Sequence, residues 1–281
     1  MQVQRGRRLS EFSTFGIGGP IEAFAEVKTV ADVQNAFAWA KTHNIPVLIV
    51  GKGSNCLFSD AHFPGLVLLN KIDHCTIEGQ NVVVGAGYSF SLLGAQTARK
   101  SLSGLEFASG IPATVGGAVF MNAGANGQET CETLVSVEYV HADGRVQTFS
   151  ELVFGYRTSP FQQMSGCIAA AHFRLRENAE ARKNQLELVD RRMKTQPLKD
   201  KSAGCVFRNP GPGVSAGALI DQCGLKGCAV GGAKVSEVHA NFLVNENGAT
   251  AHDMLELIAR VQETVLQKTG QHLEPEIRIY R

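Results

Sequence analysis

Several familiar signals are missing from this chain of 281 residues. No stretch reaches the roughly 18–20 uninterrupted apolar residues that a membrane helix needs, so no membrane association is expected. The seven cysteines, at 56, 75, 131, 167, 205, 223 and 228, form no C-x-x-C pair. That argues against a metal site or a disulfide framework and fits reduced thiols in a cytoplasmic protein. Charge of one sign is also lacking: the formal net charge is +1, which gives no broadly basic surface for nucleic acid. No G-x-x-x-x-G-K-[ST] sequence occurs, so a P-loop phosphate site has no support. Behind the arginines of the N-terminal MQVQRGRRLSEF there is no apolar run, hence no secretory signal. Internal repeats and low-complexity tracts are absent as well.

What is present is glycine, concentrated where it has consequences. Residues 109–127 read SGIPATVGGAVFMNAGANG, with no acidic or basic side chain among them. Glycine lets a backbone approach a ligand closely, and proline fixes φ ahead of a turn. An anion bound there has to be held by backbone N–H groups. A tight turn where two backbones pack accounts for the composition equally well.

With 44% hydrophobic and 19% charged residues, the chain has the composition of a globular protein with a full core. Periodicity predicts a strand at 21–27, an amphipathic helix at 30–44 and a strand at 46–50. This opening suggests a small α/β lobe over residues 1–60. Short strands are expected at 66–69, 75–77 and 82–84, and a helix at 90–101. Strands at 133–141 and 145–149 flank an Ala-Asp-Gly turn that favours a hairpin, and 167–175 closes a second lobe spanning 61–179. The composition then becomes strongly charged over a helix at 177–194, which opens a further domain at 180–270. That domain holds a loop at 201–213, helices at 216–223 and 252–268, and a strand at 240–244. Within the C-terminal segment 271–281, expected to return to the active site, 276–280 alternates as a short strand.

Two stretches imitate the dinucleotide fingerprint G-x-G-x-x-G. In one, Cys56 stands at the third glycine position after Gly51 and Gly53; in the other, Phe90 stands there after Gly85 and Gly87. A bulky third residue keeps strand and helix from packing closely, so neither reads as a Rossmann site.

Taken in order, Thr14-Phe15-x-Ile17-Gly18-Gly19, Gly51–Asn55, Ser109–Gly127, Tyr156-Arg157-x-Ser159-x-Phe161, Ser202–Pro210 and Leu273–Arg278 resemble the UDP-N-acetylenolpyruvoylglucosamine reductases. The likeness runs from Thr14 to the C-terminus. It implies an α+β protein: a two-lobed FAD-binding unit of the vanillyl-alcohol-oxidase type followed by an α+β substrate-binding domain. By the resemblance, Gly51, Gly53, Ser54 and Asn55 meet FAD, with Pro112, Thr114, Val115, Gly116 and Gly117 opposite them. The short spacing between Leu175 and Ser202 matches the type of family member that lacks a tyrosine-bearing insert.

The implied substrate, UDP-N-acetylglucosamine enolpyruvate, is an enol ether conjugated to a carboxylate. The family reduces FAD with NADPH, passes hydride from flavin N5 to C3 and leaves carbanion character at C2. Such chemistry needs a fixed positive charge at the carboxylate, a hydrogen-bonding partner for the developing charge and a proton donor at C2. Arg157 matches the family's arginine, although by itself it reads as a surface salt-bridge residue. Glu276 matches its glutamate, which has to be protonated or to share a proton. Glu274, two residues earlier, is the rival for that role.

Cys205 stands where many family members carry serine, and a thiol is the stronger acid of the two. It is taken as the proton donor; the other six cysteines are taken as structural. Asn209, Arg208 and Lys194 are the candidates for holding substrate, within a basic cluster that includes Arg191, Arg192, Lys199 and Lys201. His239 and Asn241 also lie in a family-like segment but receive no catalytic role. A cytoplasmic monomer is the expectation. An oxidase using O₂ on the same fold and a catalytically silent nucleotide-sugar binder are the alternatives.

Overall fold

The computed structural model describes residues 1–281, which form two compact units. The first comprises Met1–Arg5, Glu22–Lys52 and Pro64–Arg192; the second comprises Gly6–Ile21, Gly53–Phe63 and Met193–Arg281. Sequence reading placed 6–21 and 53–60 in the N-terminal lobe and 61–63 at the start of the second. They belong instead to the C-terminal unit, because Phe15, Ile17 and Leu57 are buried in its core.

Within the first unit lies a small sheet ordered Ile21–Val27, Phe63–Asn70, Val47–Val50, its last two strands parallel. The helix Val30–Thr42 makes the crossover between the first strand and Val47–Val50. It starts at Thr29, whose side chain accepts from the Asp32 N–H while Asp32 reaches back to the Thr29 N–H. This reciprocal capping box satisfies two otherwise orphaned donors. Val33, Ala36, Phe37 and Ala40 line the buried face.

A five-stranded antiparallel sheet makes up the rest of the unit, in the order Val146–Phe149, Leu134–His141, Gly166–Arg174, Asn81–Gly85, Cys75–Glu78. The helices Phe90–Arg99 and Val115–Met121 share its core with Tyr139, Phe107 and Phe161. The second of these helices lies inside the glycine-rich stretch, for which the sequence offered an anion-holding loop or a tight turn. Thr114 caps it by accepting from the Gly117 N–H, and Val115, Ala118 and Val119 are buried.

In the second unit a four-stranded antiparallel sheet runs Ser202–Cys205, Phe242–Asn245, Ala233–Val235, Ala229–Val230. Helices Ala216–Gln222 and Ala251–Thr269 pack on it through Ile220, Met254, Leu257, Val261 and Val265. A separate parallel pair joins Cys56–Phe58 to the C-terminal strand Arg278–Tyr280. No helix is long and apolar enough to cross a membrane.

Candidate active site

The sequence singled out two glycine-rich loops for an anionic cofactor, and the first unit brings parts of both together. A Cβ at Gly51 would lie 2.4 Å from Thr114 Oγ1, so only glycine permits this approach. Ser89 pairs with Thr114 across an isolated bridge, and Phe90 N–H donates to Ala113 O at 3.0 Å. Pro112 and Gly117 remain exposed at the outer side of the loop.

The expected row of free backbone donors is not there. Val115 N–H donates to Tyr88 O, Gly116 N–H to Ala86 O and Gly117 N–H to Thr114 Oγ1. These bonds fix the loop and leave little donor capacity at those three residues. A cation lies next to it instead: Lys52 Nζ donates to Ser89 Oγ at 3.4 Å. Burial and the charge of Lys71 hold the Lys52 pKa below the ordinary lysine value. An anion beside it would relieve that unfavourable setting. Sequence reading missed Lys52, although its place between Gly51 and Gly53 was a usable signal. A close, side-chain-poor backbone with one adjacent cation fits a dinucleotide diphosphate.

Arg157 is also in the first unit, on a two-residue turn. Gly155 and Thr158 exchange backbone hydrogen bonds of 3.2 and 3.0 Å, and Arg157 sits at φ +58°. Left-handed backbone is costly for a non-glycine residue. The turn is nevertheless held from several sides. Arg157 Nη2 donates to Gly124 O at 2.9 Å, its guanidinium lies 4.9 Å over the Tyr156 ring, and Gln162 Nε2 donates to Arg157 O. Buried Asn122 donates from Nδ2 to Gly155 O at 3.0 Å. The end of the glycine-rich stretch is thereby tied to the arginine turn.

The second unit holds Gly53, Ser54 and Asn55. Thr14 donates from both its backbone N–H and its hydroxyl to Gly53 O, which links the Thr14–Gly19 motif to this loop. Asn55 Nδ2 donates to Glu276 O at 3.3 Å, and Asn55 O accepts from Arg278 N–H at 2.9 Å. Asn55 thus grips the segment that carries the candidate glutamate.

Cys205 ends the strand Ser202–Cys205, and the chain continues between two neighbours. On one side Val206 N–H donates to Asn241 O; on the other, Val206 O accepts from Glu276 N–H at 2.6 Å. Arg208 N–H donates to Glu274 O, and Phe207 bridges Pro275. The second unit therefore places the Cys205 and Glu276 segments side by side. Cys205 and Glu276 are half-buried, whereas Glu274 is exposed.

The substrate candidates divide. Arg208 Nε is buried with no hydrogen-bond partner, which suits a donor waiting for an oxyanion. Asn209 Oδ1 already accepts from Ala216 N–H at 3.0 Å and so caps the entry to the next helix. Lys194, Lys199 and Lys201 are exposed to solvent. No group of three or more His, Cys, Asp or Glu residues could hold a metal ion.

The mixed fold is that of an α+β flavoprotein oxidoreductase, as its likeness to known proteins shows. Residues 21–150 match the family model of an FAD-binding domain. Residues 196–280 match that of the UDP-N-acetylenolpyruvoylglucosamine reductase C-terminal domain. Relatives of that name include one from Protochlamydia amoebophila, 56% identical over 99% of this chain and 93% of its own. Another, from Chlamydia muridarum, is 49% identical over 99% of this chain and 94% of its own. The crystal structure of UDP-N-acetylenolpyruvylglucosamine reductase from Thermus caldophilus superposes with a TM-score of 0.85 at 40% identity, covering 100% of both chains. The chain belongs to the UDP-N-acetylenolpyruvoylglucosamine reductase family, whose members work with FAD in peptidoglycan synthesis.

Proposed function

We propose that the chain reduces UDP-N-acetylglucosamine enolpyruvate to UDP-N-acetylmuramate with NADPH as the electron source, as a cytoplasmic monomer. The observation that carries this reading is the pairing of the Cys205 and Glu276 segments, joined by the Glu276 N–H bond to Val206 O. FAD, when bound, supplies the hydride relay from NADPH to C3 of the enolpyruvyl group. Gly51, Gly53, Ser54, Asn55 and Thr114 are the residues proposed to hold it, with Pro112, Val115, Gly116 and Gly117 shaping the loop.

The remaining chemistry falls to side chains. Hydride arrival at C3 pushes electron density onto C2 and the adjoining carboxylate. Arg157 pairs its guanidinium with that carboxylate in a bidentate fork, which a point charge cannot reproduce. Glu276 hydrogen-bonds the carboxylate as its charge grows, and the exposure of Glu274 argues for Glu276 in this role. Cys205 gives the Sγ proton to C2 and regains one from solvent, so NADPH and one proton are consumed per product formed. Arg208 presents Nε to the substrate diphosphate, and Asn209 and Lys194 are the further candidates for holding substrate.

The half-reactions separate these roles. With Cys205→Ala, NADPH should still bleach the flavin absorbance, while reoxidation by the enolpyruvyl substrate under anaerobic conditions should stop. Cys205→Ser should retain substantial turnover. Wild-type reoxidation in Cys205→Ala would remove the thiol from the reaction.

A further inference from the structure

Asn241 is buried, 3% exposed, and every polar group it owns is engaged. Its Oδ1 accepts from Phe207 N–H at 2.9 Å and its Nδ2 donates to Phe207 O at 2.8 Å. Its backbone O accepts from Val206 N–H at 2.8 Å, and its backbone N–H donates to His239 Nδ1 at 3.2 Å. The side-chain amide therefore imitates a paired strand residue opposite Phe207, two positions beyond Cys205.

A reason for this substitution lies just before it. The ladder between Ser202–Cys205 and Phe242–Asn245 pairs Ser202 with Val244 but Cys205 with Phe242, an extra residue on the first strand. Gly204 lies inside that irregularity at φ +75°, with nothing within 4 Å of its missing Cβ. Such bulges re-aim the side chains that follow them. Regular pairing across a bulge does not fix the next residues, and here an amide side chain restores the bonds the ladder has lost. Cys205 is left between the bulge on one side and the Asn241 clip on the other.

We propose that Asn241 is a positioning residue that sets the direction of Cys205 by clamping both backbone groups of Phe207. The inference rests on Cys205 being the proton donor. Removing the clip frees the 205–208 segment to rotate about Gly204, and proton delivery to C2 slows while flavin reduction does not.

Two variants of the holoenzyme test this. Asn241→Asp keeps an acceptor for Phe207 N–H and loses the donor to Phe207 O; Asn241→Ala loses both. Both should keep the flavin spectrum and the wild-type rate of reduction by NADPH. Reoxidation by the enolpyruvyl substrate should fall at least about tenfold, with a larger solvent deuterium isotope effect as proton transfer becomes limiting. Hydrogen exchange at the Phe207 amide should accelerate. Reoxidation within about twofold of wild type with an unchanged isotope effect would overturn the proposal. So would equal slowing of both half-reactions with loss of FAD, or failure of both variants to fold, since each marks a residue of general stability. Cys205→Ala run alongside separates the two readings. If it reoxidises normally, the donor assignment falls and the positioning role with it. If it is blocked while the Asn241 variants are normal, only the positioning role falls.

Discussion

Arg157 occupies backbone that costs a non-glycine residue roughly 1–2 kcal/mol, and a surface ion-pair residue has no reason to bear it. The same φ is free to glycine, which turns the strain into a test. Arg157→Gly should leave the melting temperature within a few degrees of wild type, because relief of strain offsets the lost bond to Gly124 O. Its substrate-driven reoxidation should nevertheless drop by at least about 100-fold. Arg157→Lys keeps charge and strain yet loses the fork, and it should fall nearly as far. Near-normal reoxidation in either variant would remove the carboxylate clamp. A parallel pair addresses the two glutamates: Glu276→Gln should slow reoxidation, and exposed Glu274→Gln should not, so equal rates in the two variants would erase the distinction. Arg157, Cys205 and Glu276 were singled out in the sequence because each lies in a local motif. Asn241 was not read this way, because its meaning comes from a partner 34 positions away; Lys52 was passed over although it stands inside the Gly51–Gly53 motif.

Elements divide in the same manner. The helix Ala251–Thr269 was readable to within a residue at either end, since Thr250 and Asp253 form a capping box, Gly270 ends it at φ +71° and the apolar stripe is regular. The helix Val115–Met121 was not, because two glycines near its start each cost about 1 kcal/mol of helix propensity. Burial of Val115, Ala118 and Val119 overrides that cost, and it cannot be seen from local composition. The strand Ser202–Cys205 was hidden likewise by small residues and a glycine at the bulge. With the 115–117 amides already bonded, anion binding falls to the preceding loop. Lys52→Gln should weaken FAD binding to the apoprotein several-fold and flatten its salt dependence, as measured by fluorescence quenching of the free flavin. A pH dependence follows from the direction of the Lys52 shift. Its charge is lost at a lower pH than for an ordinary lysine, so wild-type FAD affinity should decline on the alkaline side first. Lys52→Gln should lack that limb. An identical alkaline profile in both proteins would place Lys52 outside the anion site.

At the scale of the whole molecule, the C-terminal unit is assembled from three separated pieces of chain. The family model for its domain covers only residues 196–280. The physical unit also needs Phe15, Ile17 and Leu57, which are 0%, 2% and 1% exposed within its core. Each such side chain contributes roughly 2 kcal/mol on burial, so their loss removes an amount comparable with the 5–15 kcal/mol by which a whole domain is stable. Polar ties disappear with them. Asn245 Nδ2 donates to Phe15 O at 2.8 Å, Asp60 accepts from Ala251 N–H at 2.7 Å, and Arg278–Tyr280 pairs only with Cys56–Phe58. A fragment spanning 193–281 should therefore show no cooperative thermal transition by circular dichroism and should bind a hydrophobic dye. Supplying residues 6–21 and 53–63 through flexible linkers should restore a sharp transition, because it returns the missing core residues and the strand partner together. A cooperative melt in the bare fragment would mean that the helix Ala251–Thr269 and the four-stranded sheet suffice. The segments 6–21 and 53–63 would then serve the site alone, holding Gly53 and Asn55 in place without supporting the fold.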